Sequence, residues 1–306
     1  MELGIGMFGD VNINSEGKMQ PAGKRLQEII EEIKLMDETG LDFFGIGEHH
    51  RPDYAVSTPE IILAAASTVT KNIRLGSAVS VLSSSDPVRL FQSFSTVDLI
   101  SGGRAELMVG RGSFTESFPL YGQDLRDYDE LFEEKLELLQ LINKHQKVTW
   151  KGKFRPALDN QEIFPRPFNS QLNIWVAVGG TPESVARAAR HALPVMFAII
   201  GGNPAHFKSL FDYYRRAYQH FNQDQEKLQV GVHTHSFFGD GDSHVAEAYY
   251  PIYSAQMNRV GRQRGWPPYQ YHQYEQGRSK QGHLLIGDAN QAIDKILHMQ
   301  EMFGLT

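Results

Sequence analysis

The chain alternates between short apolar runs and longer stretches whose apolar residues recur at helical spacing. Leu3–Phe8 reads as a strand closed by Gly9 and Asp10. Pro21 opens a helical stretch with Leu26, Ile29, Ile30 and Ile33 on one face, and Gly40 stops it. Leu41–Gly47 is a second strand ending in Glu48-His49-His50, and Thr58-Pro59 starts the helix after it. Ile73–Val81, Arg104–Val109, Asn173–Val178, Leu193–Ile200 and Gln229–Phe238 read as further strands, each followed by a helical stretch. Helix starts are predicted at Asp86-Pro87, at Asp127 or Asp129, at Thr181-Pro182 and near Ser243. Val148–Phe154 reads as a small hairpin inserted in a loop, and Ala289–Phe303 as a last helix.

Seven strand-then-helix units without a low-complexity linker predict a parallel β/α architecture in a single domain spanning residues 1–306. A doubly wound sheet calls for Gly-x-Gly-x-x-Gly after the first strand. Gly6-Met7-Phe8-Gly9-Asp10 lacks it, so a (β/α)8 TIM barrel with insertions is expected.

Composition narrows the chemistry. The 306 residues contain no cysteine, which removes disulfides, thiolate nucleophiles and cysteine-held metal clusters. With 30 Lys and Arg against 36 Asp and Glu, a net charge of −6 gives no global field for nucleic acid. The first residues carry no basic segment followed by a long apolar run, and no stretch is long enough for a membrane span. A cytoplasmic protein without membrane partners is expected.

In a barrel the reacting groups stand at the C-terminal ends of the strands. Strand two ends in Glu48-His49-His50, where a histidine beside a carboxylate can manage a proton near neutral pH; a polar strand end serving loop backbone is the alternative. Strand four ends Gly110-Arg111-Gly112, an arginine placed to clamp an anion or to pair with a loop carboxylate. Strand five runs into Gly179-Gly180-Thr181-Pro182, a cradle for phosphate at a helix start or a plain turn. On strand seven, alternation puts His233 and His235 on one face, a metal-ligand spacing. No carboxylate-rich strand end supplies the remaining ligands, so no metal is expected. Residues Ser254–His283 interleave Arg259, Arg262, Arg264, Arg278 and Lys280 with Trp266, Tyr269, Tyr271 and Tyr274. They read as a lid over an anionic or aromatic ligand, with a solvated loop as the alternative.

Taken together, several of these motifs resemble the bacterial-luciferase-like flavin-dependent monooxygenase family. They are Gly47-Glu48-His49-His50, Ser77-Ala78-Val79 before Asp86-Pro87-Val88-Arg89, Ser101-Gly102-Gly103-Arg104-Ala105-Glu106 before Gly110-Arg111-Gly112, and Trp175–Pro182. The resemblance implies a TIM barrel binding reduced FMN supplied by a separate flavin reductase, acting with oxygen on a small organic substrate, usually as a homodimer. It implies His49 as the catalytic histidine and Glu48 as a neighbouring acid. A cis peptide at Ala78-Val79 would lie against the flavin, and Arg111, Gly179, Gly180 and Thr181 would hold its phosphate. A deazaflavin used for hydride transfer, a non-catalytic flavin-binding subunit and a metal-dependent hydrolase using His233 and His235 are the alternatives.

The chain departs from the luciferases in two places. Ser117, with Glu116 beside it, stands where they carry an aspartate partner for the histidine, and Gly179-Gly180 replaces a polar pair. Light emission is therefore not implied. By the same analogy Leu284–Gly287 leads into the last helix rather than forming an eighth strand, and a closing strand is expected to be missing from residues 1–306.

Overall fold

The computed structural model describes residues 1–13 and 16–306. The chain is compact in two units, Glu2–Ala177 and Val178–Thr306 with Met1.

The first unit runs β1 (Gly4–Met7), α1 (Ala22–Glu38), β2 (Phe43–Ile46), α2 (Pro59–Ser67), β3 (Arg74–Ser77), β4 (Ser80–Val81), α3 (Pro87–Ser101) and β5 (Ala105–Gly110). It continues with α4 (Ser117–Leu120), α5 (Tyr128–Lys144), β6 (Lys147–Trp150), β7 (Leu158–Glu162) and β8 (Asn173–Val178). Strands β1, β2, β3, β5 and β8 pair in that order, all parallel. Every residue of β5 is buried, as a parallel strand covered on both faces requires. The helices follow from local signals. Ile29, Ile33 and Met36 put one face of α1 into the core. Asp86 caps α3 by accepting the Arg89 N–H, and Gly102 ends it in the left-handed conformation. Thr58, by contrast, makes no side-chain cap on α2, which starts on the fixed φ of Pro59.

Two expectations are refined here. The run Ile73–Val81 is not one strand: β3 and β4 flank a cis Ala78–Val79 bond, and β4 pairs separately with β5. The hairpin expected over Val148–Phe154 is the antiparallel pair β6–β7, so its connection is wider than Lys151-Gly152-Lys153.

The second unit runs α6 (Pro182–Arg190), β9 (Val195–Ala198), α7 (Lys208–His220), β10 (Val230–His233), β11 (Ser236–Phe238), α8 (Asp242–Arg264), α9 (Tyr271–Arg278), β12 (Leu285–Gly287) and α10 (Ala289–Phe303). Strands β9 and β10 are parallel neighbours. The run Gln229–Phe238 breaks after His233, and β11 leaves to pair in parallel with β12. Leu285–Gly287 is thus a strand as well as the lead into α10, which Asp288 caps through the Gln291 N–H. Its partner is β11, not β9 or β10, so it adds nothing to the seven strands of the β/α alternation. Among the described residues no helix is long and apolar enough to cross a membrane.

Candidate functional site

Strand β2 delivers Gly47-Glu48-His49-His50 at its C-terminal end, and backbone hydrogen bonds hold this turn on both sides. Gly47 N–H donates to Met7, Glu48 N–H to Val79 at 3.1 Å, and His49 N–H to Val56 at 2.9 Å. Gly47 is needed here because a Cβ would stand 2.9 Å from His49 Nε2.

The His49 ring lies in an aromatic box. Tyr54 stacks on it at 4.2 Å between ring centres, and the rings of Phe8 and Phe114 meet it edge-on at 5.4 Å each. Both ring nitrogens are buried and neither has a hydrogen-bond partner. Burial pushes the His49 pKa down to about 4, with His50 and Arg51 adding to the shift and Asp53 opposing it. At neutral pH the ring is therefore uncharged, with one donor and one acceptor unmatched by the protein. Leaving such groups buried and unmatched costs about 1–3 kcal/mol each, which a ligand's polar atoms would recover.

Glu48 is turned away from this box. Its Oε1 pairs with His50 Nε2 at 2.9 Å and its Oε2 accepts the Val81 N–H at 2.8 Å. Two residues before Val81 lies the cis bond joining Ala78 to Val79, which the resemblance implies at this place. The segment fits because its neighbours lack side chains. A Cβ on Gly45 would come within 2.8 Å of Ala78 Cβ, and one on Gly110 within 2.8 Å of Val79 Cγ2. The Ser80 hydroxyl is buried there without a partner.

Arg111 follows β5 and pairs with Asp129, with its guanidinium 5.3 Å from the ring centre of Tyr128. An arriving phosphate would have to compete with that carboxylate. Glu116 pairs with Arg51 at 2.8 Å, while Ser117 Oγ is buried without a partner, so neither serves His49 by a hydrogen bond. Sequence reading passed over Phe8, Arg51, Tyr54 and Phe114. The signal available was an aromatic residue just past each of β1 and β5, at Phe8 and Phe114.

In the second unit, Gly179-Gly180-Thr181 precedes α6. Gly180 has φ +116°, a conformation side chains rarely adopt. A Cβ on Gly179 would meet nothing within 4 Å, so the approach to its backbone is open. Thr181 and Ser184 share a hydroxyl hydrogen bond of 2.8 Å at the helix start.

Two histidines of the same unit are committed internally. His235 Nδ1 bonds the Tyr253 hydroxyl at 3.1 Å, and His283 Nδ1 bonds the Gly202 carbonyl at 3.0 Å. Because the strand breaks after His233, the alternation that placed His233 and His235 on one face does not run through Thr234. Among the described residues no three His, Asp or Glu side chains are grouped to hold a metal. Much of the basic and aromatic stretch packs on itself. Tyr253 and Tyr274 are buried in a small core with Leu284 and Ile286, and Arg278 pairs with Asp242 and Glu275.

Comparison with known proteins places this geometry. Residues 6–306 match the family described as luciferase-like monooxygenase. An uncharacterized protein of Sinorhizobium fredii is 29% identical over 178 residues, 57% of this chain and 50% of that one. The N-acetyl-S-alkylcysteine monooxygenase of Bacillus subtilis is 26% identical over 185 residues, 60% of this chain and 53% of that one. The oxygenase component of the flavin-dependent trigonelline monooxygenase of Acinetobacter baylyi is 23% identical over 245 residues, 76% of this chain and 64% of that one. The chain spans about half the length of the first curated relatives it matches.

Among solved structures, the monooxygenase RslO1 of Streptomyces bottropensis has a TM-score of 0.83 at 21% identity, covering 99% of this chain and 90% of that one. The oxygenating constituent of 3,6-diketocamphane monooxygenase of Pseudomonas putida, in complex with FMN, has a TM-score of 0.76 at 19% identity, covering 100% and 90%. The coenzyme F420 dependent tetrahydromethanopterin reductase of Methanopyrus kandleri has a TM-score of 0.76 at 16% identity, covering 100% and 91%. These likenesses show the fold, a mostly parallel, TIM-barrel-like β/α architecture with seven strands in its alternation. A match that begins in the first strand and runs to the last residue takes in every strand end described above, and the chain belongs to the luciferase-like monooxygenase family.

Proposed function

We propose that this chain is a monooxygenase that takes reduced FMN from a separate reductase and uses it with dioxygen on a small organic substrate. The observation that carries this reading is the half-buried, uncharged His49, whose two ring nitrogens are buried without partners close to the Ala78–Val79 segment. The surrounding residues fit a flavin. Glycines at 45 and 110 seat the apolar Ala78–Val79 edge, and Arg111 offers a guanidinium. Taken by itself, the second unit offers open backbone at a helix start in Gly179-Gly180-Thr181, the kind of cradle a phosphate needs. FMN also has relatives' names behind it, one a flavin-dependent oxygenase component and one a structure containing FMN.

When bound, reduced flavin supplies the electrons that dioxygen consumes. The chain's own part is to bind, orient and handle a proton. The rings of Phe8, Tyr54 and Phe114 exclude water from the face of His49. The neutral imidazole accepts a proton at its lone-pair nitrogen, and by passing on the one at its other nitrogen it relays a proton and ends neutral again. Glu48 does not act on the reacting atoms on this reading. It holds His50 and the Val81 N–H, and so fixes the segment on which the flavin would lie. Within the first unit, Arg111 is the group that would anchor the phosphate. The working assembly on this reading is a homodimer, for which Ile61, Val69, Leu99 and Ile100 supply exposed apolar side chains near or on α2 and α3.

The test is anaerobic titration with reduced FMN, followed by admission of oxygen and substrate panels. His49→Ala keeps flavin binding and loses turnover by about two orders of magnitude or more. Undiminished turnover would overturn the role of His49. A second reading, hydride transfer with a deazaflavin, has the F420-dependent structural neighbour in its favour. Saturable binding of the deazaflavin with no binding of reduced FMN would select it.

A further inference from the structure

The segment that follows β5 is fastened at two points. Gly112 is held by the Tyr128 hydroxyl, which donates to its carbonyl at 2.7 Å, and Phe118 is fully buried and stacked on the same tyrosine. Phe114 and Glu116 lie between these anchors, and both meet Arg51. The Arg51 guanidinium carbon stands 4.9 Å from the ring centre of Phe114. Its Nη1 donates to Glu116 Oε1 at 2.8 Å and its Nε to Asp53 Oδ1 at 3.0 Å. The Arg51 side chain is 10% exposed, so the fork is held on the protein side rather than in solvent. The same Phe114 ring meets His49 at 5.4 Å and Tyr54 at 6.1 Å.

We propose that Arg51 is a positioning residue for His49. Held by Asp53 and Glu116, it seats Phe114 against the imidazole and keeps water from both ring nitrogens. A guanidinium suits this task because its planar face stacks on the phenyl ring while its edge makes directed bonds to two carboxylates. Glu116 thereby acts on His49 through Arg51 and Phe114, not by a direct hydrogen bond. This inference rests on the reading of His49 as the proton-handling group, but its test uses the apoprotein and no flavin, so the two can fail separately.

The readout is the titration of His49, followed by NMR on histidine-labelled protein, its signal assigned by its loss in His49→Ala. The titratable groups bearing on the ring are Asp53, His50 and Arg51, with Glu116 reaching it through Arg51. In Glu116→Gln the charge of Arg51 is less compensated, which by electrostatics alone lowers the His49 midpoint further. Release of Phe114 and entry of water raises it instead, because desolvation is the largest cause of its depression. The two effects have opposite signs.

The expected result is that His49 in the parent protein stays uncharged down to about pH 5.5, while Glu116→Gln raises its midpoint by about one unit or more. Arg51→Lys, which keeps the charge but not the fork, raises it likewise and serves if Glu116→Gln does not fold. An unchanged or lowered midpoint in the folded variants overturns the proposal.

Discussion

Glu48 accepts the backbone N–H of Val81 at 2.8 Å, two residues beyond the cis Ala78–Val79 bond. This carboxylate is therefore a structural acceptor before it is an acid. Glutamine keeps an acceptor for Val81 and a polar partner for His50, whereas alanine leaves a backbone donor unmatched. Glu48→Gln is expected to retain most flavin affinity and turnover. Glu48→Ala is expected to lose about 1–3 kcal/mol of stability in urea unfolding and to weaken flavin binding. A Glu48→Gln enzyme that binds flavin normally but turns over at the level of Glu48→Ala would show that the carboxylate itself reacts.

The order of the elements was legible because each has a local cause: the apolar runs of β2 and β5, the Asp86 cap, the Gly102 stop. Ala289–Phe303 has the same bounds in sequence and structure. What escaped the sequence depends on contacts across the chain. The strand-like run from 73 to 81 hides its break at Ala78–Val79 from pattern reading, since period-two alternation carries no record of peptide geometry; the cis bond there was implied by the resemblance alone. The run from 229 to 238 likewise conceals the departure of β11 toward β12, residues some 49 positions further along. At the site, His49 and Glu48 were visible as residue types, but their separate tasks were not. Which side of a strand end a side chain serves is set by partners such as Tyr54 and Val81.

Arg111 is engaged by Asp129 and lies over Tyr128. If it anchors a phosphate, its loss should matter only for ligands that carry one. Arg111→Ala is expected to weaken reduced FMN by about tenfold to a hundredfold, from the 1.5–3 kcal/mol of a charged hydrogen bond, and to leave riboflavin unchanged. Asp129→Asn removes the competing carboxylate and should tighten FMN without tightening riboflavin. Equal losses for both ligands in Arg111→Ala would mean that the arginine supports the fold of the loop rather than the phosphate. Paired titrations under anaerobic conditions decide it.

Gly45 makes room for the Ala78–Val79 segment. An added Cβ would stand 2.8 Å from Ala78 Cβ and 2.9 Å from Phe43 Cε1. Neither neighbour is the end of a long flexible chain, so Gly45→Ala must shift backbone or ring, at a cost of about 1–3 kcal/mol. The displaced atoms belong to the edge on which flavin is proposed to lie, so flavin affinity should fall together with stability. Gly23→Ala is the control: its Cβ meets nothing within 4 Å on α1 and should be neutral or stabilising by up to about 1 kcal/mol. Thermal melts and flavin titration of the two variants should separate cleanly, and normal flavin binding by a destabilised Gly45→Ala would detach this edge from the cofactor.

Three histidines make the fold sensitive to mild acid. Burial lowers His49, His233 and His235 to about 4 in the folded chain, against about 6.5 when unfolded. Between these values the unfolded chain binds protons that the folded chain refuses, so stability is full above about pH 6.5 and falls as pH drops toward 4. Near the middle of that window each histidine contributes a slope of about 1 kcal/mol per pH unit. Glu60, Asp98 and Glu106 act in the opposite sense, because burial raises their pKa and the folded chain then holds the extra protons. The histidine share is isolated by comparison. Urea unfolding of the parent and of His233→Asn at pH 7 and pH 5 should show a smaller acid loss in the variant, by about 1–2 kcal/mol. An identical loss in both would mean that His233 takes up its proton in the folded chain, and that the polar end of β10 is wetter than its burial indicates.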